Sequence, residues 1–499
     1  MHQQSKTEFH KPSLLMAVLP ILLTIVLVMI QLFVYQDGSP HIPLAIGALI
    51  TSVFGYFRGY AWKDMQEGML NVIHTALPAI FILYVIGMII GTWIAAGTVP
   101  YMVYYGLQVL SPGYFLAAAC IICSVVSLCT GTSWGTTGTM GLALMGIGEG
   151  LGVPAHMTAG AVVSGAFFGD KMSPLSDTTN FAPAVVGTDL YTHIKNMMPV
   201  TVPAMLIALV AYTYVGFDFA GGEINQEALN VIVVTLQQEF SLGVWLLIPA
   251  VAVMYLALSK KPALPGLFAG AVLGGIAAML FQGDSLHDVF NTMLNGYRSD
   301  TGVAAVDSLL SKGGLMSMNW SVTLIIAALA FGGVLEKTRC LETILETILK
   351  FATSNTRLLL SSLASALGVH IATGENYLAQ SLPGRMFAPA YRGRGLHVSN
   401  LSRTMEDAGT LSAPLIPWSS GAVFVAATLG VATLSYLPWA IACWASLLID
   451  VVWAVTGWFV PKATEDDIDL WAEQEADVLV GDELMTGSEY RNDIQTSSV

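Results

Sequence analysis

The chain has 499 residues, of which 55% are hydrophobic and only 11% are charged. A soluble protein carries about a quarter charged residues, so this composition excludes an ordinary soluble domain and indicates an integral membrane protein. Apolar runs near the length of a membrane-spanning helix recur along the chain, whereas alternating ten-residue strands are absent. The predicted spans are therefore helices, and the 48 glycines suit close helix packing and interrupted helices.

The net charge of −14 comes mainly from the C-terminal end of the chain. Residues 461–499 contain two basic and eleven acidic residues, a net charge of −9. We expect a solvated, disordered tail there, and we expect no nucleic-acid partner. The five cysteines show no metal-site spacing, and Cys120 and Cys123 are expected to be small packing residues rather than a redox pair. No cofactor is expected.

Ten apolar segments are predicted to span the membrane, and two of them are interrupted. They are 14–35, 42–60, 76–96, 155–187 (broken), 196–216, 242–259, 263–282, 321–337, 399–434 (broken) and 437–460. Two further segments, 114–150 and 357–391, have a polar, glycine-containing centre. We interpret each as a re-entrant hairpin that enters and leaves on the same side. Segments 98–110 and 338–352 each lie between a spanning helix and a hairpin. The second is amphipathic and is predicted to lie along the membrane surface, with a loop helix packed on the protein as the alternative.

The distribution of basic residues supports this topology. With both termini in the cytoplasm, the predicted exterior segments 36–41, 97–113, 217–241 and 283–320 contain only Arg298 and Lys312 as basic residues. Basic residues favour the cytoplasmic side, so this bias supports the predicted layout with both termini in the cytoplasm. We expect the multi-pass protein to lie in the bacterial inner membrane. Treating either hairpin as a full crossing would remove the bias downstream.

Two short motifs occur twice in the same order. Thr130-Gly-Thr-Ser133 is matched by Thr373-Gly-Glu-Asn376, and Ser173-Pro-Leu-Ser176 is matched by Ala413-Pro-Leu-Ile416. The first hairpin would open outside and the second inside. The chain is therefore predicted to contain inverted repeats, which are typical of secondary transporters.

These features divide the chain into six predicted regions. They are a cytoplasmic N-terminal segment (1–13), scaffold helices of the first half (14–113), a first transport region with hairpin and broken helix (114–216), scaffold helices of the second half (217–356), a second transport region (357–460) and the acidic cytoplasmic tail (461–499).

The stretch Gly-Asp-Lys-Met-Ser-Pro-Leu-Ser-Asp-Thr-Thr-Asn at 169–180 is predicted to be the centre of the site. It places two carboxylates and an ammonium between apolar segments, where ionisable groups usually face a cavity or an ion path. Pro174 disfavours a continuous helix, and a broken helix exposes carbonyls and amides that can bind ions. The alternative is a proline kink with an internal Asp–Lys pair and no substrate.

Two hairpin tips and two broken helices are expected to meet near the middle of the membrane. Their side chains mostly offer hard oxygen ligands, which suit an alkali cation such as sodium. Asp170, Asp177 and Asp407 are the candidates for coupling ions to protons. The candidates for binding the ion or substrate are Thr130, Gly131, Thr132, Ser133, Ser173, Pro174, Ser176, Thr178, Thr373, Gly374, Glu375, Asn376, Thr410 and Ser412.

Several neighbouring ionisable residues allow a structural interpretation. Lys171 could be a counter-ion to Asp170 or Asp177, and Glu406 could pair with Arg403 or cap a helix.

Two other ionisable residues lie in apolar surroundings. Asp450 could be a proton site or a hydrogen-bonding residue between helices. His370 could titrate, although a packing role is favoured.

Five motifs of this chain resemble the NhaC family of sodium/proton antiporters. They are the stretch at 169–180, Thr-Gly-Thr-Ser-Trp-Gly-Thr at 130–136, Leu-Pro-Gly-Arg-Met-Phe at 382–387, Glu-Asp-Ala-Gly-Thr at 406–410 and Pro-Leu-Ile-Pro-Trp at 414–418. The resemblance covers nearly all of the membrane region. It implies the ion-transporter superfamily fold, an all-α polytopic protein with two re-entrant hairpins, two broken transmembrane helices and elevator-type alternating access. The family also includes malate/lactate exchangers and amino-acid carriers. The chain departs from the family pattern at 375–376 and 419–420.

The predicted function is therefore exchange of cytoplasmic sodium for external protons. A sodium- or proton-coupled carrier of organic acids or amino acids is the alternative. An enzyme is not expected, because the sequence has no nucleophile–base arrangement or metal-binding motif, and a channel would not require two inverted half-sites. The expected partners are sodium ions, protons and the lipid bilayer, with a homodimer as a further expectation.

Overall fold

The structure is a computed structural model that describes residues 11–35, 39–220, 226–259, 261–465, 467–468 and 471. In these ranges the chain is helical, and its only β pairing is an isolated antiparallel bridge between Leu396 and Lys462. This agrees with the predicted all-helical class. The first ten residues of the predicted N-terminal segment and most of the acidic tail lie outside the described residues.

The first four helices follow the predicted order of the first scaffold segments. They are α1 (Leu14–Met29), α2 (His41–Phe57), α3 (Trp62–Ala95) and α4 (Thr98–Val109). Helix α3 has 34 residues and starts well before the predicted span at 76. At Gly97, which has φ +82°, the chain bends by 68° between the apolar end of α3 and α4.

The next helices contain the first predicted hairpin and the first predicted broken helix. They are α5 (Pro112–Thr130), α6 (Ser133–Thr136), α7 (Leu142–Gly150), α8 (Ala155–Met172), α9 (Asp177–Val186) and α10 (Leu190–Ala220). Both predicted interruptions occur, one after Thr130 and one after Met172. A π-helical turn, Thr137–Gly141, links α6 to α7.

The middle of the chain contains shorter helices around two long apolar ones. They are α11 (Gln226–Glu239), α12 (Ile248–Leu258), α13 (Ala263–Ala277), α14 (Leu286–Asn295), α15 (Ala304–Leu310), α16 (Asn319–Lys337) and α17 (Cys340–Phe351). On α17, Leu341 and Leu345 are buried, and Lys11 forms ion pairs with Glu342 and Glu346. This amphipathic helix therefore packs its apolar face against the protein.

The last helices contain the second predicted hairpin and the second broken helix. They are α18 (Asn355–Thr373), α19 (Asn376–Arg392), α20 (Ser399–Gly409), α21 (Ser420–Leu429), α22 (Thr433–Tyr436) and α23 (Ile441–Thr456). The chain is interrupted after Thr373 and after Gly409, as predicted.

The lengths and compositions of these helices define a multi-pass membrane protein. Among the described residues, five helices are long and apolar enough to cross a membrane, or up to eight if each bent pair forms one span. Helices α1 and α2 are apolar but shorter. Many large apolar side chains on the helices are exposed, as a lipid-facing surface requires.

Helices α5 and α8 approach each other closely through glycines of α8, a contact that we call the glycine seam. A Cβ atom on Gly165 would lie 2.1 Å from the carbonyl oxygen of Cys120, and one on Gly169 would lie 2.4 Å from that of Ser124. Small residues at such positions allow helix backbones to approach in a membrane. The arm of the first hairpin is thereby fixed to the first broken helix.

The segment after α23 docks onto the loop that precedes α20. The amide of His397 donates to the carbonyl of Pro461 (3.1 Å), and the amide of Ala463 donates to that of Gly395 (2.9 Å). The His397 ring nitrogen lies 3.5 Å from a carboxylate oxygen of Asp467, and Trp471 is buried with 6% exposure. The expected disorder of the tail is therefore wrong for the described residues of 461–471.

Candidate functional site

Both predicted hairpin tips turn at a glycine in the left-handed conformation. Gly131 and Gly374 each have φ +69°, a region that favours glycine because it has no Cβ. The following residue caps the next helix in both tips: the Thr132 hydroxyl accepts the amide of Gly135, and the Glu375 carboxylate accepts the amide of Tyr377. The two tips are thus built in the same way.

The two broken helices also restart in the same way. Helix α8 ends before Ser173-Pro174, where proline removes a backbone donor. The Ser176 hydroxyl then caps α9, and the Ser419 hydroxyl caps α21. Each restart leaves a polar turn beside a helix N-terminus.

Each tip packs against the break of the broken helix in its own half. A Cβ atom on Gly131 would lie 2.6 Å from the carbonyl carbon of Leu175, and one on Gly374 would lie 2.9 Å from the carbonyl oxygen of Trp418. The amide of Ser420 donates to the carbonyl of Gly374 at 3.0 Å. The structure therefore brings the predicted tips and breaks together.

A cavity of about 680 Å³ lies between these turns and helices α12 and α13. Its apolar wall includes Trp93, Val253, Met254 and Leu267. The predicted site residues that line the cavity are Thr130, Gly131, Thr132, Ser133, Asp170, Pro174, Asp177, Thr178, Glu375, Asn376 and Thr410. Residues from both halves of the chain thus share one cavity.

Asp170 lines the cavity and is held by one of its two carboxylate oxygens. The backbone amide and the hydroxyl of Ser133 donate to Oδ2 of Asp170, at 3.1 and 2.6 Å. Oδ1 is buried and has no hydrogen-bond partner within the described residues. Because the side chain is only 5% exposed, the free oxygen can accept a proton or contact a cation in a site largely shielded from water.

Lys171 and Asp407 form an ion pair in which both side chains are fully buried. Both interpretations of Lys171 from the sequence, as a counter-ion to Asp170 or to Asp177, are therefore wrong. Asp407 comes from α20, and its second oxygen has no partner within the described part of the chain. The pair lies behind the cavity, since neither residue is among those that line it.

Asp177 and Glu375, unlike this ion pair, line the cavity. The Tyr377 hydroxyl donates to Asp177, and the Tyr377 ring packs edge-on against Phe181 at 5.3 Å. Glu375 is 5% exposed, and its carboxylate accepts the Tyr377 amide at 3.3 Å and the Ser420 hydroxyl at 3.5 Å. Both contacts are long for hydrogen bonds to a carboxylate.

Arg403 does not form the ion pair with Glu406 that the sequence suggested as one of two possibilities for Glu406. It is fully buried and pairs with Asp450 at 2.9 Å. Asp450 also accepts the Thr404 hydroxyl at 2.9 Å, which gives it a partner on each oxygen. Glu406 accepts the Thr178 hydroxyl at 3.0 Å and so joins the two broken helices.

The remaining predicted residues lie behind the lining of the cavity. Ser173 donates to the carbonyl of Leu128 at 2.7 Å, and Ser412 lies 2.7 Å from a ring nitrogen of His370. These contacts support the surrounding helices. The residues in this group are Ser173, Ser176, Thr373, Gly374, Asp407 and Ser412.

Sequence reasoning assigned no role to Thr139, Lys261 and Tyr377, which are polar residues that line the cavity. Tyr377 orients Asp177 through its hydroxyl. Thr136 was among the oxygen donors offered by the first half; it is 1% exposed, and its hydroxyl has no partner within the described residues. Tyr377 follows the second predicted tip by three positions, so the helical turn that starts at the tip was the available signal.

The helices and the cavity define an all-helical, multi-pass membrane protein with buried carboxylates at two interrupted helices. A model of the Na⁺/H⁺ antiporter family matches residues 165–458, and the chain belongs to that family. This confirms the resemblance drawn from the motifs.

Three curated relatives cover most of the chain. The Na⁺/H⁺ antiporter NhaC of Alkalihalophilus pseudofirmus is 39% identical over 85% of this chain and 92% of its own length. The malate-2H⁺/Na⁺-lactate antiporter of Bacillus subtilis is 39% identical over 86% of this chain and 91% of its own. The arginine/ornithine antiporter ArcD of Halobacterium salinarum is 38% identical over 90% of this chain and 93% of its own.

Proposed function

We propose that the protein exchanges cytoplasmic sodium ions for external protons across the bacterial inner membrane, with both termini in the cytoplasm. Membership of the Na⁺/H⁺ antiporter family supports the exchange. The observation that carries the proposal is Asp170, a buried carboxylate with one fixed oxygen and one free oxygen beside a cavity.

In this mechanism Asp170 holds either a proton or a sodium ion. Ser133 fixes Oδ2, so that Oδ1 keeps one orientation as the proton or ion binds. Hydroxyl and carbonyl oxygens of the tip, including those at Thr130 and Thr132, would complete the ligands of a hard cation. Because one carboxylate cannot hold both species comfortably, sodium binding releases the proton, and protonation releases the sodium.

We assign a structural role, rather than a coupling role, to the Lys171–Asp407 pair. Its ammonium neutralises a carboxylate of the second half and lies one residue from Asp170. The Thr179 hydroxyl donates to the carbonyls of Asp170 and Lys171, at 3.2 and 3.0 Å, and so joins the two pieces of the first broken helix. This arrangement would keep the coupling carboxylate at a fixed distance from the second half of the site.

The proposal includes two inverted repeats and elevator-type alternating access. Gly131 and Gly374 are 243 positions apart, and so are Ser176 and Ser419. The tips and breaks in the two halves thus share one spacing as well as one geometry. Movement of the two hairpins and broken helices relative to the scaffold helices would open the cavity first to one side and then to the other.

A second candidate function is a coupled carrier of small organic solutes. The cavity volume of about 680 Å³ favours it, because a sodium ion bound by oxygen ligands needs far less space. The malate/lactate and arginine/ornithine relatives support this candidate as well.

Substitution of Asp170 tests the proposed exchange. Asp170→Asn keeps the size of the side chain but removes the titrating charge, so sodium-driven proton movement in proteoliposomes should be abolished. Asp189→Asn is the matched control, since Asp189 lies between α9 and α10 and caps Thr192. Purified variants are compared by yield and melting temperature. Normal exchange by well-folded Asp170→Asn protein would rule out the mechanism.

A further inference from the structure

The volume of the cavity is much larger than an inorganic cation requires. Its volume of about 680 Å³ lies within the range of about 300–1,000 Å³ that is typical of small-molecule sites. One wall is polar and comes from the tips and breaks, while the facing wall contains Trp93, Val253, Met254 and Leu267. An apolar wall contributes nothing to the binding of a bare sodium ion, but it can pack against methylene groups.

The charges that line the cavity favour a cation. Asp170 and Glu375 are each 5% exposed and come from different halves of the chain, and Asp177 adds a third carboxylate. Among the described lining residues, Lys261 is the only basic one. The nearby ammonium of Lys171 is already paired with Asp407. Two buried carboxylates on opposite halves therefore face the cavity without a fixed counter-ion, which is costly unless a ligand or protons neutralise them.

Unused acceptors in the cavity point to an occupant with several N–H donors. Oδ1 of Asp170 and the hydroxyl oxygen of Thr136 are buried and have no partner within the described chain. The hydrogen bonds that Glu375 accepts from the Tyr377 amide and the Ser420 hydroxyl are long, at 3.3 and 3.5 Å. An ammonium group has three donors and no acceptor, so it satisfies such a set of oxygens.

We propose that the cavity binds a linear organic cation with an ammonium group at each end, held between Asp170 and Glu375, in competition with sodium. One ammonium contacts Asp170 and Thr136, and the other contacts Glu375 near Tyr377. The methylene chain lies along the apolar wall. This proposal rests on the cavity assigned above to sodium/proton exchange, and it names a class of organic substrate for that cavity.

Calorimetric titration of the purified full-length protein tests this proposal. The probes are the α,ω-diamines from 1,3-diaminopropane to 1,6-diaminohexane, with butylamine and succinate for comparison, at neutral pH, where the amines are protonated. One chain length should bind at least about tenfold tighter than butylamine, because only a diamine neutralises both carboxylates. Sodium should weaken that binding. Three results would overturn the proposal. The diamines could all bind with the same affinity, butylamine could bind as tightly as every diamine, or succinate could bind more tightly than the diamines.

Variants locate the second ammonium. Glu375→Gln should weaken the preferred diamine at least about tenfold and bring it close to butylamine. Glu67→Gln removes an exposed carboxylate that contacts Lys337 and should leave diamine binding unchanged. If Glu375→Gln does not fold, the chain-length series and sodium competition on the unmodified protein still decide. Sodium/proton exchange measured separately distinguishes the two failures: exchange without diamine binding contradicts only this inference.

Discussion

The ammonium of Lys171 pairs with the carboxylate of Asp407, although the two residues are 236 positions apart in the sequence. Neighbouring residues in the chain suggested Asp170 or Asp177 as the partner of Lys171, because sequence proximity was the only available guide. The choice depends on how α8 packs against α20, and that packing is a tertiary property. The chemical types at the site could thus be predicted, but their pairing could not.

Removing one member of this pair should leave the other as a buried charge without a counter-ion. Lys171→Met is expected to lower the free energy of unfolding by about 3–5 kcal/mol, because Asp407 is then left without its counter-ion. The double variant Lys171→Met/Asp407→Asn should recover much of that loss. Thermal unfolding in detergent measures both. A single variant as stable as the unmodified protein would contradict the assignment of a structural ion pair.

Asp450 offers a second test at the level of single residues. It accepts hydrogen bonds from Arg403 and Thr404, so we expect a packing role rather than proton transfer. Asp450→Asn should lower the melting temperature while the folded protein retains sodium/proton exchange. Exchange per folded molecule is the deciding measurement. Loss of exchange at an unchanged melting temperature would instead make Asp450 a proton site.

The interruptions of the helices were predictable because their causes are local. Pro174 removes a backbone donor, and Gly131 and Gly374 permit a left-handed turn. The alignment of the two halves was less predictable. The motif match set Pro174 against Pro414, whereas the capping serines, Ser176 and Ser419, share the spacing of the two tip glycines. The position of a helix cap depends on the backbone conformation around it. A match of four residues between the two halves does not contain that information.

A pair of glycine substitutions separates backbone strain from packing at the first tip. Alanine at positive φ costs about 1–2 kcal/mol at either Gly131 or Gly152, whose φ is +72°. Only at Gly131 would the new Cβ also contact the Leu175 backbone, because Gly152 has nothing within 4 Å. Gly131→Ala should therefore lose more stability than Gly152→Ala, and it should lose exchange. Equal melting temperatures for the two variants would show that the tip contact is unimportant.

At the scale of the whole molecule, the charge pattern suggested a free tail from residue 461, but its first part is docked. An acidic composition predicts that a segment is solvated. A single aromatic side chain in such a segment can nevertheless be buried against the protein. Trp471 does so beside Arg392, whose guanidinium lies 5.4 Å from the ring centre. Such a contact cannot be read from average charge.

Two truncations test this docking. Truncation after Thr464 removes Asp467 and Trp471, whereas truncation after Trp471 keeps both. The shorter protein should melt at a lower temperature, because loss of a buried tryptophan side chain costs about 3–5 kcal/mol. Trp471→Ala in the full chain should have a similar effect. Identical melting curves for the two truncations would mean that the docked segment does not stabilise the protein.

The glycine seam between α5 and α8 has a mechanical consequence. With the Cβ positions of Gly165 and Gly169 so close to the backbone of α5, these helices have no layer of side chains that could repack as they slide. In the proposed elevator movement, α5 and α8 would therefore move together as one rigid body, and any sliding surface would lie elsewhere, where side chains form both faces. A covalent bridge across the seam should leave the transport cycle running, whereas a bridge from α5 to α12 should arrest it.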